Sequence, residues 1–304
     1  MHAELALRHR TIETNGVRLH AVEAGPEGGP LLILLHGFPE FWYGWHRQIE
    51  PLAAAGFHVL APDQRGYNLS DKPRAVAAYD ADLLARDVLG LIDGAGARKA
   101  FVVGHDWGGA VAWWLGIRYP ERIERLALLN IPHPLVMQRA LRKNPEQRKK
   151  SSYIFFFQIP WLPERSFRAL NFAAGVKALR GSSRPGTFTD ADLDRYREAW
   201  SQPGAVRSMI HWYRATFRSR PKLPASPRVS VPTLLLWGAQ DRFLGREMAQ
   251  PSIDFCDHGR LEFFAEASHW IQHEEPERVS RELVGFFEST PPASAGATSR
   301  RGGS

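Results

Sequence analysis

The chain has 304 residues, of which 44% are hydrophobic and 23% charged, as in an ordinary soluble globular protein with a sizeable core. The formal net charge is +7, but no nucleic-acid-binding motif accompanies it, so we expect no nucleic-acid partner. Cys256 is the only cysteine, which excludes an internal disulfide or a cysteine metal cluster and favours the cytoplasm. The first residues lack the apolar run of a signal peptide, and the longest apolar stretch, "YIFFFQIPWL", is too short to span a bilayer.

Strands and helices alternate along the first part of the chain. Two alternating segments flank Asn15-Gly16, a strong hairpin signal, and two apolar runs follow as buried strands, "LLILLHG" and "FHVLAPDQRG". Helical spacing covers residues 80–93, and "KAFVVGHD" is the next strand. The segment "GGAVAWWLGIRYP" is a helix that Pro120 ends, and "IERLALLNI" is again a strand. This alternation predicts an α/β fold with a mostly parallel, twisted sheet flanked by helices.

The pattern changes where this last strand ends. Residues 132–224 have helical spacing without buried strand runs, and strands resume with "TLLLWGAQD" and "RLEFFAEASHW" before a last helix, "PERVSRELVGFFE". We therefore predict a core formed by residues 1–131 and 225–289, interrupted by a helical lid over 132–224. The tail, 290–304, is low in hydrophobicity and is predicted to be disordered. The basic residues crowded between 139 and 150 are interpreted as a solvated helix face.

The segment "VVGHDWGGAV" has the form of a nucleophile elbow with Asp106 at its centre. Gly104, Gly108 and Gly109 permit the tight turn that presents a side chain between a strand and a helix. The helix N-terminus behind the turn favours an ionised carboxylate. Asp is also a common helix cap, so the segment alone leaves capping open beside nucleophilic attack.

Two further residues follow later strands at the same predicted edge of the sheet. Asp241 comes after "TLLLWG", and His269 comes after the last strand and before the last helix. The order nucleophile, acid, histidine is that of α/β-hydrolases, so we predict His269 as the base and Asp241 as the acid that orients it. Glu266 remains an alternative acid because it lies close to His269 in sequence.

The stretch "HGFPE" follows the first buried strand, where hydrolases place one N–H of the oxyanion hole. The residue after the nucleophile supplies the other, so the backbone amides of Phe38 and Trp107 are the candidates. The sequence leaves open whether the Phe38-Pro39 bond is cis.

A carboxylate nucleophile suits displacement at an sp³ carbon, which gives an alkyl–enzyme ester that His269 hydrolyses with a water molecule. An epoxide and a carbon–halogen bond are both suitable electrophiles. An epoxide oxygen needs a proton, which the phenols of Tyr153 and Tyr213 in the lid could donate at neutral pH. By periodicity alone, each tyrosine is more typical of a packing residue than of a catalytic one.

Seven segments together resemble the epoxide hydrolases of the α/β-hydrolase superfamily, over residues 10–288; they are "HGFPEFWYGWHRQI", "DQRGYNLSDKP", "GHDWGGAVAW", "SSYIFFFQIP", "HWYRA", "WGAQDRFL" and "ASHWIQHEEPE". The resemblance implies Asp106 as nucleophile, Asp241 and His269 as acid and base, and Tyr153 and Tyr213 as proton donors. It implies further that Phe38 and Trp107 form the oxyanion hole, and that neighbouring polar residues order the hydrolytic water; these are His36, Glu40 and His105. No cofactor and no metal are implied.

Two alternatives remain. A haloalkane dehalogenase shares the core and the nucleophile, and lid tryptophans could bind halide; the candidates are Trp161, Trp200 and Trp212. Fluoroacetate dehalogenases carry arginines where this chain has Trp107 and Ala110, which argues against that subgroup. A non-catalytic ligand-binding protein of the same fold is the remote alternative.

We expect the substrate pocket between the core and the lid, lined by apolar and aromatic side chains that favour an apolar or aromatic epoxide. The residues expected there are Pro39, Phe155, Phe156, Phe157, Phe243 and Trp270, together with Trp107. The physiological epoxide and the oligomeric state are not predictable from the sequence.

Overall fold

The computed structural model describes residues 7–219 and 226–289. An eight-stranded sheet forms the centre, in the order β1-β2-β4-β3-β5-β6-β7-β8. The strands are β1 (Arg8–Thr14), β2 (Val17–Ala24), β3 (Leu31–Leu35), β4 (His58–Pro62), β5 (Ala100–His105), β6 (Ile123–Leu129), β7 (Thr233–Gly238) and β8 (Gly259–Phe264). Strand β2 pairs antiparallel with β1 and β4, and all other neighbours are parallel. The predicted α/β fold is confirmed.

Helices lie between the strands and after them. Those outside the lid region are α1 (His46–Ala54), α2 (Ala81–Gly94), α3 (Asp106–Arg118), α10 (Ala249–Ile253), α11 (Ile271–Glu274) and α12 (Pro276–Glu288). Six more lie between β6 and β7, namely α4 (Pro134–Lys143), α5 (Pro145–Lys150), α6 (Ser152–Phe156), α7 (Leu162–Ser182), α8 (Asp190–Ser201) and α9 (Ala205–Arg218). Helix α7 is kinked at residues 169–172. No helix in the described part of the chain is long and apolar enough to cross a membrane.

The buried strands explain where the core lies. Every residue of β3, β4 and β7 is buried, as expected for central strands covered on both faces.

The helices between β6 and β7 pack over the loops at the carboxyl edge of the sheet. The indole N–H of Trp200 donates to the carbonyl of Pro39, and that of Trp212 donates to the carbonyl of Arg65. The carboxyl edge is therefore enclosed between core and helices, which is where parallel sheets bind ligands. The predicted tail, 290–304, and residues 220–224 of the predicted lid lie outside the described residues.

Candidate active site

The turn between β5 and α3 presents Asp106 at the carboxyl edge of the sheet. Asp106 has φ +49°, a left-handed conformation that is strained for a non-glycine residue and recurs at functional sites. A side chain at Gly108 would overlap the carbonyl of Leu35, and one at Gly104 would overlap the backbone of Gly108. Only glycines at these positions let the turn pack directly against β3, so the local sequence holds the strained carboxylate in place.

His269 links the carboxylates of Asp241 and Asp106. Its Nδ1 lies 2.7 Å from Oδ2 of Asp241, and its Nε2 lies 3.6 Å from Oδ2 of Asp106. Asp241 is fixed in turn, because its Oδ1 accepts the backbone N–H groups of Phe243 and Leu244 at 2.7 and 2.9 Å. An acceptor fixed at Nδ1 leaves Nε2 directed at Asp106, the orientation that a base in this place requires.

Asn130 completes this arrangement and was missed in the sequence. It follows β6 with φ +47°, donates from Nδ2 to Oδ2 of Asp241 at 2.7 Å, and accepts the N–H of Gly238. Asn130 could have been found from the sequence, because it is a polar residue directly after a buried strand, at the carboxyl edge of the sheet. Glu266, the alternative acid, is exposed, whereas Asp241 is bonded to His269. The alternative is therefore wrong, because the loop after β8 turns the Glu266 side chain to solvent.

The charges of the site shift the pKa values of His269 and Asp106 in opposite directions. Burial lowers the pKa of His269, but the charge of Asp241 and hydrogen bonds to both carboxylates raise it to about 10. Burial raises the pKa of Asp106, but the hydrogen bond and charge of His269 outweigh it, so the net pKa is lowered. The site therefore holds an ionised carboxylate beside an imidazolium near neutral pH.

One wall of the site is made by the loop after β3. The N–H of Phe38 donates to Oδ1 of Asp106 at 2.9 Å, and the Phe38-Pro39 peptide bond is cis. The N–H of Trp107 is in the first turn of α3, where amides have no partner within the helix. These are the two amides that the sequence nominated for an oxyanion hole.

Tyr153 and Tyr213 face the same cavity as Asp106. Tyr153 is in α6 and Tyr213 in α9, and their ring centroids are 5.8 Å apart. Burial raises the pKa of both phenols, and the charge of Asp106 raises them further. Both tyrosines are therefore protonated over the whole physiological pH range and are available as donors.

The cavity that contains Asp106 has a volume of about 710 Å³ and lies mainly along α4. Its walls include Trp107, Trp114, Ile131, Pro132, Leu135, Met137, Leu141, Ile154 and Leu244, so they are mostly apolar.

Most of the predicted pocket residues are not among those that line this cavity. Phe155 and Phe156 are exposed, because the short helix α6 turns Tyr153 and Ile154 inward and the next two residues outward. Phe157 is buried and packs on the rings of Phe38 and Tyr213. Trp270 donates its indole N–H to Ser182, and the carbonyl of Pro39 accepts from Trp200. Phe243 lies between the rings of Tyr153 and His269. Of the predicted residues, Trp107 lines the cavity.

Glu40 is buried behind the site with hydrogen bonds to both of its oxygens. Oε1 accepts from the phenol of Tyr196 at 2.8 Å and lies 2.7 Å from Nε2 of His273; Oε2 accepts from Gln272 and lies 3.2 Å from Nδ1 of His105. Burial raises the pKa of Glu40, but the charges and hydrogen bonds of His273 and His105 hold it well below the ordinary value. The three partners other than His105 were not predicted from the sequence.

His105 and His36 hold the backbone around the site. Nε2 of His105 lies 2.9 Å from the carbonyl of His269, so Glu40 and His105 together support the loop that carries His269. Both nitrogens of His36 are occupied: Nε2 accepts the N–H of Gln64, and Nδ1 lies 3.0 Å from the carbonyl of Gly37. Water ordering by His36 was therefore a wrong expectation, since no ring nitrogen is left for a water molecule.

Among residues 7–219 and 226–289, no group of three His, Cys, Asp or Glu side chains is placed to hold a metal ion. The arrangement supplies a nucleophilic carboxylate, an oriented histidine, two phenols and an apolar cavity. An electrophilic substrate can therefore alkylate the carboxylate of Asp106, and the same residues can then hydrolyse the resulting ester.

Comparisons with known proteins agree with this chemistry. The sequence matches the alpha/beta hydrolase fold family over residues 30–276. It is 49% identical to an AB hydrolase superfamily protein, YfhM, of Bacillus subtilis, over 91% of this chain and 97% of that protein. It is 40% identical to human epoxide hydrolase 4 over 91% of this chain and 77% of that protein. The structure is similar to an epoxide hydrolase variant of Bacillus megaterium solved with its diol product, with TM-score 0.84 and 33% identity, over 92% of this chain and 100% of that one.

Proposed function

The chain belongs to the α/β-hydrolase family and to its epoxide hydrolases, and on this premise we propose that Asp106 opens an epoxide ring and His269 directs hydrolysis of the ester that forms. The protein is a hydrolase that converts an epoxide and water to a vicinal diol. The observation that supports the residue assignment best is the shared cavity of Asp106, Tyr153 and Tyr213.

In the first step, one carboxylate oxygen of Asp106 attacks a ring carbon. Oδ1 is held by the N–H of Phe38, so Oδ2 is the attacking atom. The carbon–oxygen bond of the ring breaks, its electron pair goes to the ring oxygen, and a phenol of Tyr153 or Tyr213 gives that oxygen a proton. The product is a hydroxyalkyl ester on Asp106.

Ester formation changes His269 from an ion-pair partner into a base. It removes the negative charge and the hydrogen bond of Asp106, which both raise the pKa of His269. The imidazolium therefore loses its proton more readily once the ester exists, and that proton returns to the phenolate that ring opening left behind. Asp241 keeps the ring oriented. Neutral Nε2 then takes a proton from water, and the resulting hydroxide attacks Cγ of Asp106.

The oxyanion of this second step develops on Oδ1. That atom already accepts from Phe38, and the N–H of Trp107 at the start of α3 is the second donor. Collapse of the tetrahedral intermediate breaks the bond between Cγ and the alkyl oxygen. His269 protonates that oxygen as the diol leaves, and Asp106 is left as a carboxylic acid. Its proton then passes to the neutral His269, which restores the carboxylate and the imidazolium.

The haloalkane dehalogenase alternative is less well supported. A halide site needs free N–H donors, but the indole N–H groups of Trp200 and Trp212 donate to the carbonyls of Pro39 and Arg65. Trp161, the third candidate, is 63% exposed on the surface. Two protonated phenols in the cavity also serve no purpose in halide release. A binding protein without activity would have no need for the strained Asp106.

The mostly apolar walls support apolar or aromatic epoxides as substrates. We place the protein in the cytoplasm on the evidence of its single, buried cysteine.

Single turnover in ¹⁸O-labelled water tests the proposal, with enzyme in excess over styrene oxide. The first diol should carry unlabelled oxygen from Asp106, and label should appear in the Asp106 carboxylate. Asp106→Asn should form no diol during the first turnover. Release of bromide from 1-bromobutane without opening of styrene oxide would instead favour the dehalogenase.

A further inference from the structure

A cluster of exposed apolar side chains covers the outer face of the lid helices. Nine large hydrophobic side chains are exposed in the described part of the chain, and six of them lie here. We call this set the lid patch; it consists of Phe155, Phe156, Ile159, Trp161, Leu162 and Phe217. Single exposed hydrophobic residues are ordinary, but a contiguous group usually marks a binding surface.

Proximity in sequence and one ring contact bring the members of the lid patch together. Five of its members are within eight consecutive residues, and the ring of Phe155 lies 5.9 Å from that of Phe217 in α9. The most exposed member is Trp161, with 63% of its surface accessible.

The exposure is built into the fold. Arg214 is buried in α9, and its guanidinium donates to the carbonyls of Phe157 and Ile159 and pairs with Glu164. These bonds satisfy two backbone carbonyls of the segment and fix it against α9. The apolar side chains of the lid patch are thereby held outward on an anchored backbone.

The charges around the lid patch are positive. The Arg165 guanidinium lies 5.9 Å from the centre of the Trp161 ring, and Arg168 is exposed one turn later. Arg142 is exposed on the cavity wall that also includes Phe217. Glu164, the acidic residue within this stretch, is neutralised by Arg214. A second copy of the same face would bring these cations together, whereas an anionic surface would attract them.

We propose that the lid patch docks on the surface of an anionic lipid bilayer. Its aromatic and aliphatic side chains enter the interface, and the arginines around it contact lipid phosphates. Tryptophan is enriched at membrane–water interfaces, which suits the position of Trp161.

Docking would place the cavity entrance on the membrane. Phe217 belongs to both the lid patch and the cavity wall, and the same cavity reaches Asp106. An apolar epoxide dissolved in the bilayer would then pass to Asp106 without crossing bulk water. This passage rests on the proposed function, but docking itself does not, and a binding experiment without substrate separates the two.

Co-sedimentation of the whole protein with vesicles tests docking. The wild type should bind vesicles of phosphatidylcholine and phosphatidylglycerol, bind vesicles of phosphatidylcholine alone far more weakly, and lose binding in high salt. Ile159→Ser combined with Trp161→Ser should reduce binding at least tenfold. The matched control, Leu69→Ser, changes a side chain that is 58% exposed on the core and should bind as the wild type does.

A second pair of variants tests the charges. Arg165→Gln should weaken binding about fivefold, which corresponds to about 1 kcal/mol for each basic residue near an anionic surface. Arg86→Gln removes an exposed arginine from α2 and should leave binding unchanged. Because the chain has ten tryptophans, the emission of Trp161 is obtained as the difference between the spectra of the wild type and Trp161→Ser. This difference should shift to shorter wavelength on vesicles and be quenched by brominated lipid.

Hydrolysis of soluble styrene oxide should be unchanged in the Ile159→Ser, Trp161→Ser variant, which shows that it is folded. Equal vesicle binding by this variant and the wild type, or no binding by the wild type, would refute membrane docking. A wild-type dimer in lipid-free buffer that this variant converts to a monomer would refute it too, because a second copy would then cover the lid patch.

Discussion

The backbone N–H of Phe38 donates to Oδ1 of Asp106 at 2.9 Å, so the proposed nucleophile already contacts one of the two amides that we propose as the oxyanion hole for its ester. The donor is in place before any substrate binds, and no reorganisation is required when negative charge develops on this oxygen. The same bond selects Oδ2 as the attacking atom.

The contact between Gly37 and Asp106 makes this geometry sensitive to a single methyl group. A Cβ at Gly37 would overlap Cβ and Oδ1 of Asp106. Gly37→Ala should therefore slow ester formation about a hundredfold, the cost of displacing a reacting group by about 1 Å. Stopped-flow measurement of the alkylation rate of Gly37→Ala tests this prediction. Gly28→Ala has open space around the new methyl group and should react like the wild type.

Replacement of His269 should separate the two steps. In His269→Gln the carboxylate of Asp106 remains, so an epoxide still alkylates it, but turnover should fall by 10²–10⁴ because no base activates water. The ester should then accumulate, and mass spectrometry of the peptide that contains Asp106 should show the adduct. His258→Gln, at an exposed histidine, serves as control. Full turnover by His269→Gln would exclude His269 as the base.

The two phenols should share the task of donating a proton. Tyr153→Phe and Tyr213→Phe should each slow ring opening of styrene oxide by about 10- to 100-fold, and the double variant should lose it almost completely. Tyr119→Phe alters a phenol that is not among the residues that line the cavity and should be neutral. The alkylation rate of each variant tests this prediction. If the double variant opened styrene oxide as fast as the wild type, the proton would come from another group.

The pKa of His269 should depend on both of its carboxylate partners. Asp106→Asn removes one charge and one hydrogen bond, so the pKa should fall below about 10, and Asp241→Asn should lower it further. Titration of the labelled imidazole by NMR measures this. Folding raises the pKa of His269 from about 6.5 to about 10, so its protonation stabilises the folded state. This stabilisation is fully present below pH 6.5 and is lost as the pH rises through about 10. In Asp106→Asn the loss should therefore occur at lower pH.

Glu40 should be important for stability because its charge is buried among polar partners. Glu40→Gln leaves His273 without its carboxylate and should lower the free energy of unfolding by about 3 kcal/mol at neutral pH. The folded state lowers the pKa of Glu40 from about 4.5, so its stabilisation is present above that pH and is lost as the pH falls. The difference in the free energy of unfolding between Glu40→Gln and the wild type should thus become smaller at acidic pH. Urea unfolding measures it, with Glu198→Gln as the exposed control.

Local patterns of residues were enough to predict the central strands and the turn at Asp106. Buried runs of apolar residues specify the central strands, and glycines at 104 and 108 are needed for the tight turn at Asp106. Asp106, Asp241 and His269 could be assigned because each follows a strand, and parallel strands end at one edge of the sheet. This reasoning requires only the order of elements.

The side chains that face the cavity and the groups that support the site depend instead on how distant segments pack together. Phe155 and Phe156 point to solvent while Tyr153 and Ile154 point inward, since the rotation of a five-residue helix is set by its packing and not by its own sequence. Glu40 meets Tyr196 and His273 from 156 and 233 residues away. Such contacts form between loops and helices that approach only after folding, so no local pattern encodes them.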